Sequence, residues 1–322
     1  MRTVFLGTSP FGAAALRSLI GTVHQPSLVV TQPDRPAGRG RKLRPSAVKE
    51  VATAAGLAVF QPEEINTVAA RALIVAEAPE AIIVVAFGQI LRPRLLAIPT
   101  LGCLNVHASL LPRHRGASPI NAQILAGDAR VGVTIMRMDE GLDTGPIGMT
   151  AAADALATET AGELHDRLAE LARELLPQAL DRLAAGALVF EAQDDALATH
   201  APLMTKDDGV LDFRDDALTL ERRVRGYDPW PGNRVRLFDG QVVRRGSLVT
   251  VRAEASPSSK SPGALLEIGS DSLTVACGQG QLVVHSWQPE ARRPMNLRDY
   301  LNGVTLTAAA RFLLPDEEAP SS

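Results

Sequence analysis

Cysteine, lysine and aromatic side chains are all scarce in this chain, and the scarcities exclude several classes of protein. Only two cysteines, Cys103 and Cys277, occur in 322 residues. They share no metal-ligand spacing and lie in apolar surroundings, so they read as small buried hydrophobes of a reducing compartment. His24, His165, His200 and His285 fall in separate segments, and no metal site is expected. Apolar runs break off well short of membrane-spanning length. Met1-Arg2 leads directly into a strand pattern, so no signal peptide is expected and the chain is placed in the cytoplasm. A GxGxxG fingerprint is missing as well. Gly7-Thr8-Ser9-Pro10-Phe11-Gly12 has a different spacing and sets Pro10 where a dinucleotide motif needs flexible backbone. That segment reads as a tight strand-to-helix turn whose helix N-terminus faces the site. Lysine numbers 4 against 29 arginines, a ratio that reflects genome composition, so arginine abundance alone means little.

What is present is a globular composition, 46% hydrophobic and 21% charged, in a chain too long for one ordinary domain. Strand patterns at 3–6, 27–31, 58–60, 81–86, 102–107 and 131–138 alternate with helix patterns at 10–20, 46–55, 67–76, 118–125 and 160–185. Such alternation predicts a Rossmann-like, mainly parallel sheet covered by helices. In the last helix Leu164, Leu168, Leu171 and Leu175 form an apolar stripe of core type. Periodicity weakens at 187–205, which reads as a linker between a catalytic domain at 1–186 and a second domain at 206–312. Short alternating strands at 233–238, 241–252, 263–268, 272–276 and 281–286 predict a small β-barrel of OB-like type. Residues 313–322 read as a frayed tail.

The most informative stretch is Asn105-Val106-His107-Ala108-Ser109-Leu110-Leu111-Pro112, taken together with Asp143 in the loop Asp139-Glu140-Gly141-Leu142-Asp143-Thr144-Gly145. The stretch follows apolar runs, so it belongs at the end of a buried strand, where open α/β sheets place ligands. Asn105 and His107 are two apart and therefore share a face. An amide and an imidazole aimed together can donate to a developing oxyanion, and a carboxylate can fix the imidazole tautomer and stabilise its charged form. Spacing alone leaves a second reading open, in which Asn105 and Asp143 hold turns and His107 is a satisfied core histidine. Arg113-His114-Arg115-Gly116 follows directly, either as a solvated turn or with its arginines beside an anionic substrate group.

Net charge is −3, but its distribution is uneven. Residues 31–49 carry six basic side chains against Asp34 alone, and residues 222–252 carry eight arginines against Asp228 and Asp239. Either patch can bind a polyanion or merely solubilise the surface. The stretch 31–45 is the more specific of the two. Three prolines, two glycines and five basic residues predict a long loop without regular structure, suited to phosphate contact.

With these residues in view, the chain resembles the methionyl-tRNA formyltransferases. The resemblance is carried by 31–42 (TQPDRPAGRGRK), 84–90 (VVAFGQI), 102–119 (GCLNVHASLLPRHRGASP), 131–145 (VGVTIMRMDEGLDTG) and 227–232 (YDPWPG). One departure is Ala108, where many members carry glycine. The resemblance implies transfer of a formyl group from 10-formyltetrahydrofolate, as co-substrate, to the amino group of methionyl-initiator tRNA, without a metal. It implies that Asn105, His107 and Asp143 are catalytic. Ser109, Leu110, Leu111 and Pro112 would then line the folate site, with Phe87, Gly88 and Ile90 around the pterin. Arg35, Arg39, Arg41, Lys42 and Arg44 would enter the acceptor stem, the barrel at 206–312 would bind tRNA as well, and the enzyme would act as a monomer in a bacterial cytoplasm.

Overall fold

Five short apolar strands run parallel through the middle of the first folding unit, which comprises Met1–Ile120, Ala129–Ala155 and Glu163–Pro202. The computed structural model describes residues 1–37, 42–258 and 260–318. From one edge the sheet runs Ile147–Asp154, Arg130–Arg137, Cys103–His107, Ala81–Val85, Thr3–Gly7, Leu28–Val30, Ala58–Phe60. The first two are antiparallel additions. Thr3–Gly7 and Ala81–Val85 are buried along their whole length, which is why they read as unbroken apolar runs. The chain builds outward from Thr3–Gly7 to Ala58–Phe60, then returns to the other side of the first strand at Ala81–Val85. That reversal makes the carboxyl ends of Thr3–Gly7, Ala81–Val85 and the adjoining Cys103–His107 the place for a ligand.

Helices Pro10–Arg17, Ala47–Ala54 and Val68–Ala76 begin after Ser9, Ser46 and Thr67, whose hydroxyls accept from the backbone N–H of Gly12, Lys49 and Ala70. The long helix Ala161–Ala184 buries Leu164, Leu168 and Leu175 of the expected stripe, with Leu171 half-buried and Leu176 buried beside them.

Two features of this unit differ from expectation. Ile147–Asp154 is a strand, although its alanines and glycine are poor strand formers, because it pairs back along Arg130–Arg137. The stretch 31–45 is not devoid of regular structure: Arg35–Ala37 pairs antiparallel with Lys42–Arg44, with Arg35 opposite Arg44. Pro36 is tolerated because a two-stranded ribbon consists only of edges, where a missing N–H breaks no continuous ladder.

The second unit takes in everything from Leu203 onward together with Asn121–Asp128 and Leu156–Gly162, so no single cut divides the chain. Asn121 explains the first inclusion, since its amide donates to Gly226 O at 2.7 Å and Trp230 O at 3.1 Å. Its sheet is antiparallel, in the order Leu265–Ile268, Leu273–Ala276, Gln281–Pro289, Val243–Glu254, Val235–Phe238, Arg311–Phe312, with Met295–Asn296 beside Gln281–Pro289. A bridge between Ala264 and Arg311, and the bond from Phe312 N to Gly263 O at 2.8 Å, join the two ends into the expected barrel. Phe213 stacks on Phe312 at 4.9 Å and Trp287 meets Tyr300 edge-on at 4.7 Å inside it. Such pairs add about 0.5–1.5 kcal/mol each beyond their burial.

Two helices were not foreseen here, Ala217–Gly226 and Leu297–Gly303. The tail is also held further than expected. Leu313 is buried, its N–H bonds Arg236 O, and the Arg236 guanidinium donates to the carbonyls of Leu314, Pro315 and Glu317.

Candidate active site

Strand alternation puts Asn105 and His107 on one face at the carboxyl end of Cys103–His107. Asp143 reaches them on a tight loop. Within it Asp139 Oδ1 accepts from Gly141 N at 3.0 Å and Thr144 Oγ1 at 2.7 Å. Gly145 lies so close to Arg137 that a Cβ would stand 1.8 Å from its carbonyl oxygen, which is why the loop closes on glycine. Asp143 itself adopts a left-handed backbone, φ 56°. Its carboxylate accepts from Asn105 Nδ2 at 3.1 Å and Gly116 N at 2.8 Å, and its Oδ2 lies 3.5 Å from His107 Nδ1. The other ring nitrogen, His107 Nε2, is 2.9 Å from His114 O. The three residues singled out from sequence therefore converge.

The geometry assigns the tautomer differently from expectation. A carbonyl can only accept, so the neutral ring carries its proton on Nε2 toward His114, and not toward the carboxylate. Burial pushes the His107 pKa below its ordinary value, against the pull of Asp143 and the His114 carbonyl. In the neutral ring the Nδ1 lone pair then faces a carboxylate oxygen at 3.5 Å, two acceptors with room for one proton. Such a pair offers a place for one further proton, which burial of the ring opposes.

The adjoining Ser109–Pro112 turn is braced from within. Ser109 is buried and its hydroxyl donates to Arg113 O at 2.7 Å, so it shapes the turn. Thr134 Oγ1 donates to Ser109 O at 2.7 Å and accepts from Leu111 N at 3.1 Å. Leu111 is buried; Leu110 and Pro112 are half-buried. In the next segment the Phe87 ring is packed into the core with Val4, Leu6 and Val84, while its carbonyl accepts from Thr8 Oγ1 at 2.9 Å. Gly88 is exposed at φ 85°, and Ile90 is 83% exposed. Arg115 is not available to a substrate anion: it is buried and ion-paired to Asp195 at 2.7 Å. Gln193, which also binds Arg115, is a contributor that no motif flagged.

Arg35, Lys42 and Arg44 are exposed, and among the described residues no ion pair engages them; Arg39 and Arg41 lie outside the described residues. Asp34 does not offset these cations. It pairs with Lys49 at 2.7 Å, and that contact holds its carboxyl below the ordinary range. Among the described residues no cluster of histidine, cysteine and carboxylate side chains could hold a metal ion, and no helix is long and apolar enough to cross a membrane. Burial pushes the thiols of Cys103 and Cys277 up to about 12, in keeping with inert core residues.

Residues 1–180 match the formyl transferase family, and residues 203–305 match the formyl transferase C-terminal domain. The chain is 46% identical over 302 residues to a methionyl-tRNA formyltransferase of Pseudomonas paraeruginosa, covering 94% of this chain and 96% of that one. It is 42% identical over 325 residues to the methionyl-tRNA formyltransferase of Marinobacter nauticus, covering 99% of each. Among solved structures, an N-formyltransferase from Helicobacter canadensis, in complex with folinic acid and dTDP-3-aminofucose, shares the fold. Its TM-score is 0.63 at 14% identity, covering 89% of this chain and 98% of that one.

Proposed function

Since the chain belongs to the formyl transferase family, and within it to the methionyl-tRNA formyltransferases, we propose that Asn105, His107 and Asp143 carry its catalysis. The reaction moves a formyl group from 10-formyltetrahydrofolate to the free amino group of methionyl-initiator tRNA, for translation initiation. The folate supplies the formyl group in activated form.

The observation that carries the site assignment is the convergence of an amide, an imidazole and a carboxylate at the carboxyl end of the sheet. Asn105 gives one N–H to Asp143, and its second N–H is the donor assigned to the oxygen on which charge develops as the amine attacks. The His107–Asp143 pair takes the proton that the amine loses. The pair then returns it to the departing nitrogen, which balances the transfer. His107 thus acts as proton acceptor, with its charged form stabilised by Asp143.

The segment around Phe87, Gly88 and Ile90 suits a flat heterocycle with polar edges, because it combines exposed backbone at Gly88 with an exposed apolar side chain at Ile90. Phe87 serves there through its backbone, since its ring belongs to the core. Leu110, Leu111 and Pro112, on the turn braced by Ser109, are assigned to the same folate site. Arg35, Lys42 and Arg44, with Arg39 and Arg41 between them, are assigned to the acceptor-stem phosphates. The enzyme is assigned to the cytoplasm as a monomer.

Incubation with 10-formyltetrahydrofolate and charged initiator tRNA should yield formyl-methionine, and Asn105→Ala, His107→Ala and Asp143→Ala should each abolish most of it. Full product from folded His107→Ala would end the site assignment.

A further inference from the structure

We infer that Gln193 is a positioning residue for formyl transfer, its amide fixing the Asp143 loop against the segment that holds the other side of the His107 ring. Gln193 Nε2 donates to Asp143 O at 2.8 Å and Gly145 O at 2.7 Å, on either side of Thr144. Its Oε1 accepts from Arg115 Nε at 3.1 Å and Nη2 at 2.9 Å, while Arg115 Nη2 also reaches Asp195 Oδ1 at 2.7 Å. Arg115 stands between His114, whose carbonyl meets His107 Nε2, and Gly116, whose N–H meets Asp143 Oδ2. One side-chain amide therefore ties together the two segments that flank the imidazole.

The chemistry calls for glutamine. The position must donate to two carbonyls and accept from a guanidinium at once, which a carboxylate or an aliphatic side chain cannot do. The two segments are not equally dependent on it. His114 to Ala117 are held independently, through Arg115 N to Thr199 O and Ala117 N to Ala201 O, both at 2.8 Å. The Asp143 loop carries a left-handed non-glycine residue, a conformation that persists only where surrounding contacts over-determine it. Losing the Gln193 donors thus loosens the Asp143 backbone, whose carboxylate still accepts from Asn105 and Gly116, while leaving His114 in place. The Asp143–His107 contact, already 3.5 Å, would lengthen. The charged and titratable groups facing His107 are Asp143, which favours the charged ring, and His114, which opposes it through charge while its carbonyl favours it. Weakening Asp143 alone makes the ring harder to protonate.

This rests on the catalytic reading of Asn105, His107 and Asp143, so His107→Ala is run alongside. Gln193→Glu is nearly isosteric and keeps a partner for Arg115, but it turns a carboxylate oxygen toward the carbonyls of Asp143 and Gly145 and adds a negative charge; Gln193→Ala removes the donors without adding charge. Both should lower kcat about tenfold to a hundredfold, the range typical of residues that orient a reacting group from behind. KM for tRNA and for folate should stay within about twofold, and in Gln193→Ala, which adds no charge, the acid limb of kcat should move to lower pH. A fall in kcat with an unmoved pH limb in Gln193→Ala, or a change in KM alone, would mean a structural or binding role and overturn the inference. Normal kcat in both Gln193 variants while His107→Ala is inactive would also overturn it. If His107→Ala were itself fully active, the catalytic reading would fail instead.

Discussion

The proposed catalytic constellation and the basic hairpin are built on opposite plans. Around Asp143 the polar groups turn inward: both carboxylate oxygens accept from donors within the protein, His107 Nε2 meets a carbonyl, and only Nδ1 waits for a proton. In the hairpin Arg35–Ala37 with Lys42–Arg44 the cations turn outward, and Asp34, the acid adjoining them in sequence, is occupied by Lys49 and Gln61. Inward satisfaction preorganises charge for a transition state, where a donor need not reorient at the moment of reaction. Outward cations retain counterions, whose release on binding a phosphate backbone supplies affinity without sequence reading. The difference teaches how one chain separates rate from affinity: residues of the first plan should govern kcat, those of the second tRNA binding and its salt dependence.

The strongest test of that division is removal of a group from the closed region. Asn105→Ala or His107→Ala should reduce kcat by about 10²–10³, the cost of one lost transition-state interaction, with tRNA affinity unchanged. Single-turnover kinetics alongside equilibrium binding would measure both. A variant that lost tRNA affinity and kept its rate would break the comparison at its first term.

Next in size is the open region. Arg35→Ala with Arg44→Ala should lower kcat/KM for tRNA about tenfold at moderate salt and reduce the salt slope of binding by roughly two, about one for each phosphate contact removed. The KM for folate should not move, since a small donor has no need of a long basic arm. Arg39→Ala with Arg41→Ala should act in the same sense. If folate binding fell and the salt slope held, the hairpin would belong to the donor site.

The two plans were also unequally legible in the sequence. Asn105, His107 and Asp143 could be found because strand alternation and a glycine-bounded loop are local patterns, and local patterns survive without coordinates. Gln193 could not be found. It lies fifty residues beyond Asp143, in a stretch with weak periodicity, and its role comes from three long-range contacts. The same reason explains Ile147–Asp154, a strand by virtue of its neighbour. Helix Ala217–Gly226 was hidden because Leu220 and Val224 are its main buried apolar side chains amid Glu221, Arg222, Arg223 and Arg225. In the hairpin, proline and glycine content argued for a loop, and composition cannot register that a two-stranded ribbon tolerates proline. Of the eight arginines of 222–252, Arg223 pairs with Asp215, Arg234 with Asp207, Arg244 with Asp239 and Arg252 with Glu254. Sequence shows the charges and not their partners.

A smaller effect follows from the burial of His107. Its pKa is lowered, so the proton-accepting neutral ring persists below the ordinary imidazole value of about 6.5. The acid limb of kcat should therefore fall below pH 6.5, as a macroscopic property of the His107–Asp143 pair. Stability should follow the same sign. The unfolded chain takes up a proton at His107 near pH 6.5 and the folded chain resists it, so this contribution is complete above that pH and declines as the pH falls. An acid limb above pH 7 would place the essential base outside the buried pair.

The smallest predicted effect separates a basic stretch from a basic surface. Arg244 donates to Asp239 Oδ2 at 2.7 Å, and Asp239 is buried with two further donors, Gln241 N at 2.9 Å and Val242 N at 2.8 Å. Because those backbone donors remain when the guanidinium is removed, Arg244→Ala leaves the carboxylate partly satisfied. Arg244 itself is 40% exposed, so screening discounts the ion pair further. The cost should be about 1 kcal/mol or less, a shift of a few degrees at most in Tm. The salt slope of tRNA binding should stay where it was, in contrast to the hairpin variants, because this cation is already matched by a carboxylate before any RNA arrives. A slope reduced by about one in Arg244→Ala would show that the pair opens to contact phosphate. Then barrel and hairpin arginines would both meet phosphate, and the contrast between matched and unmatched cations would lose its meaning.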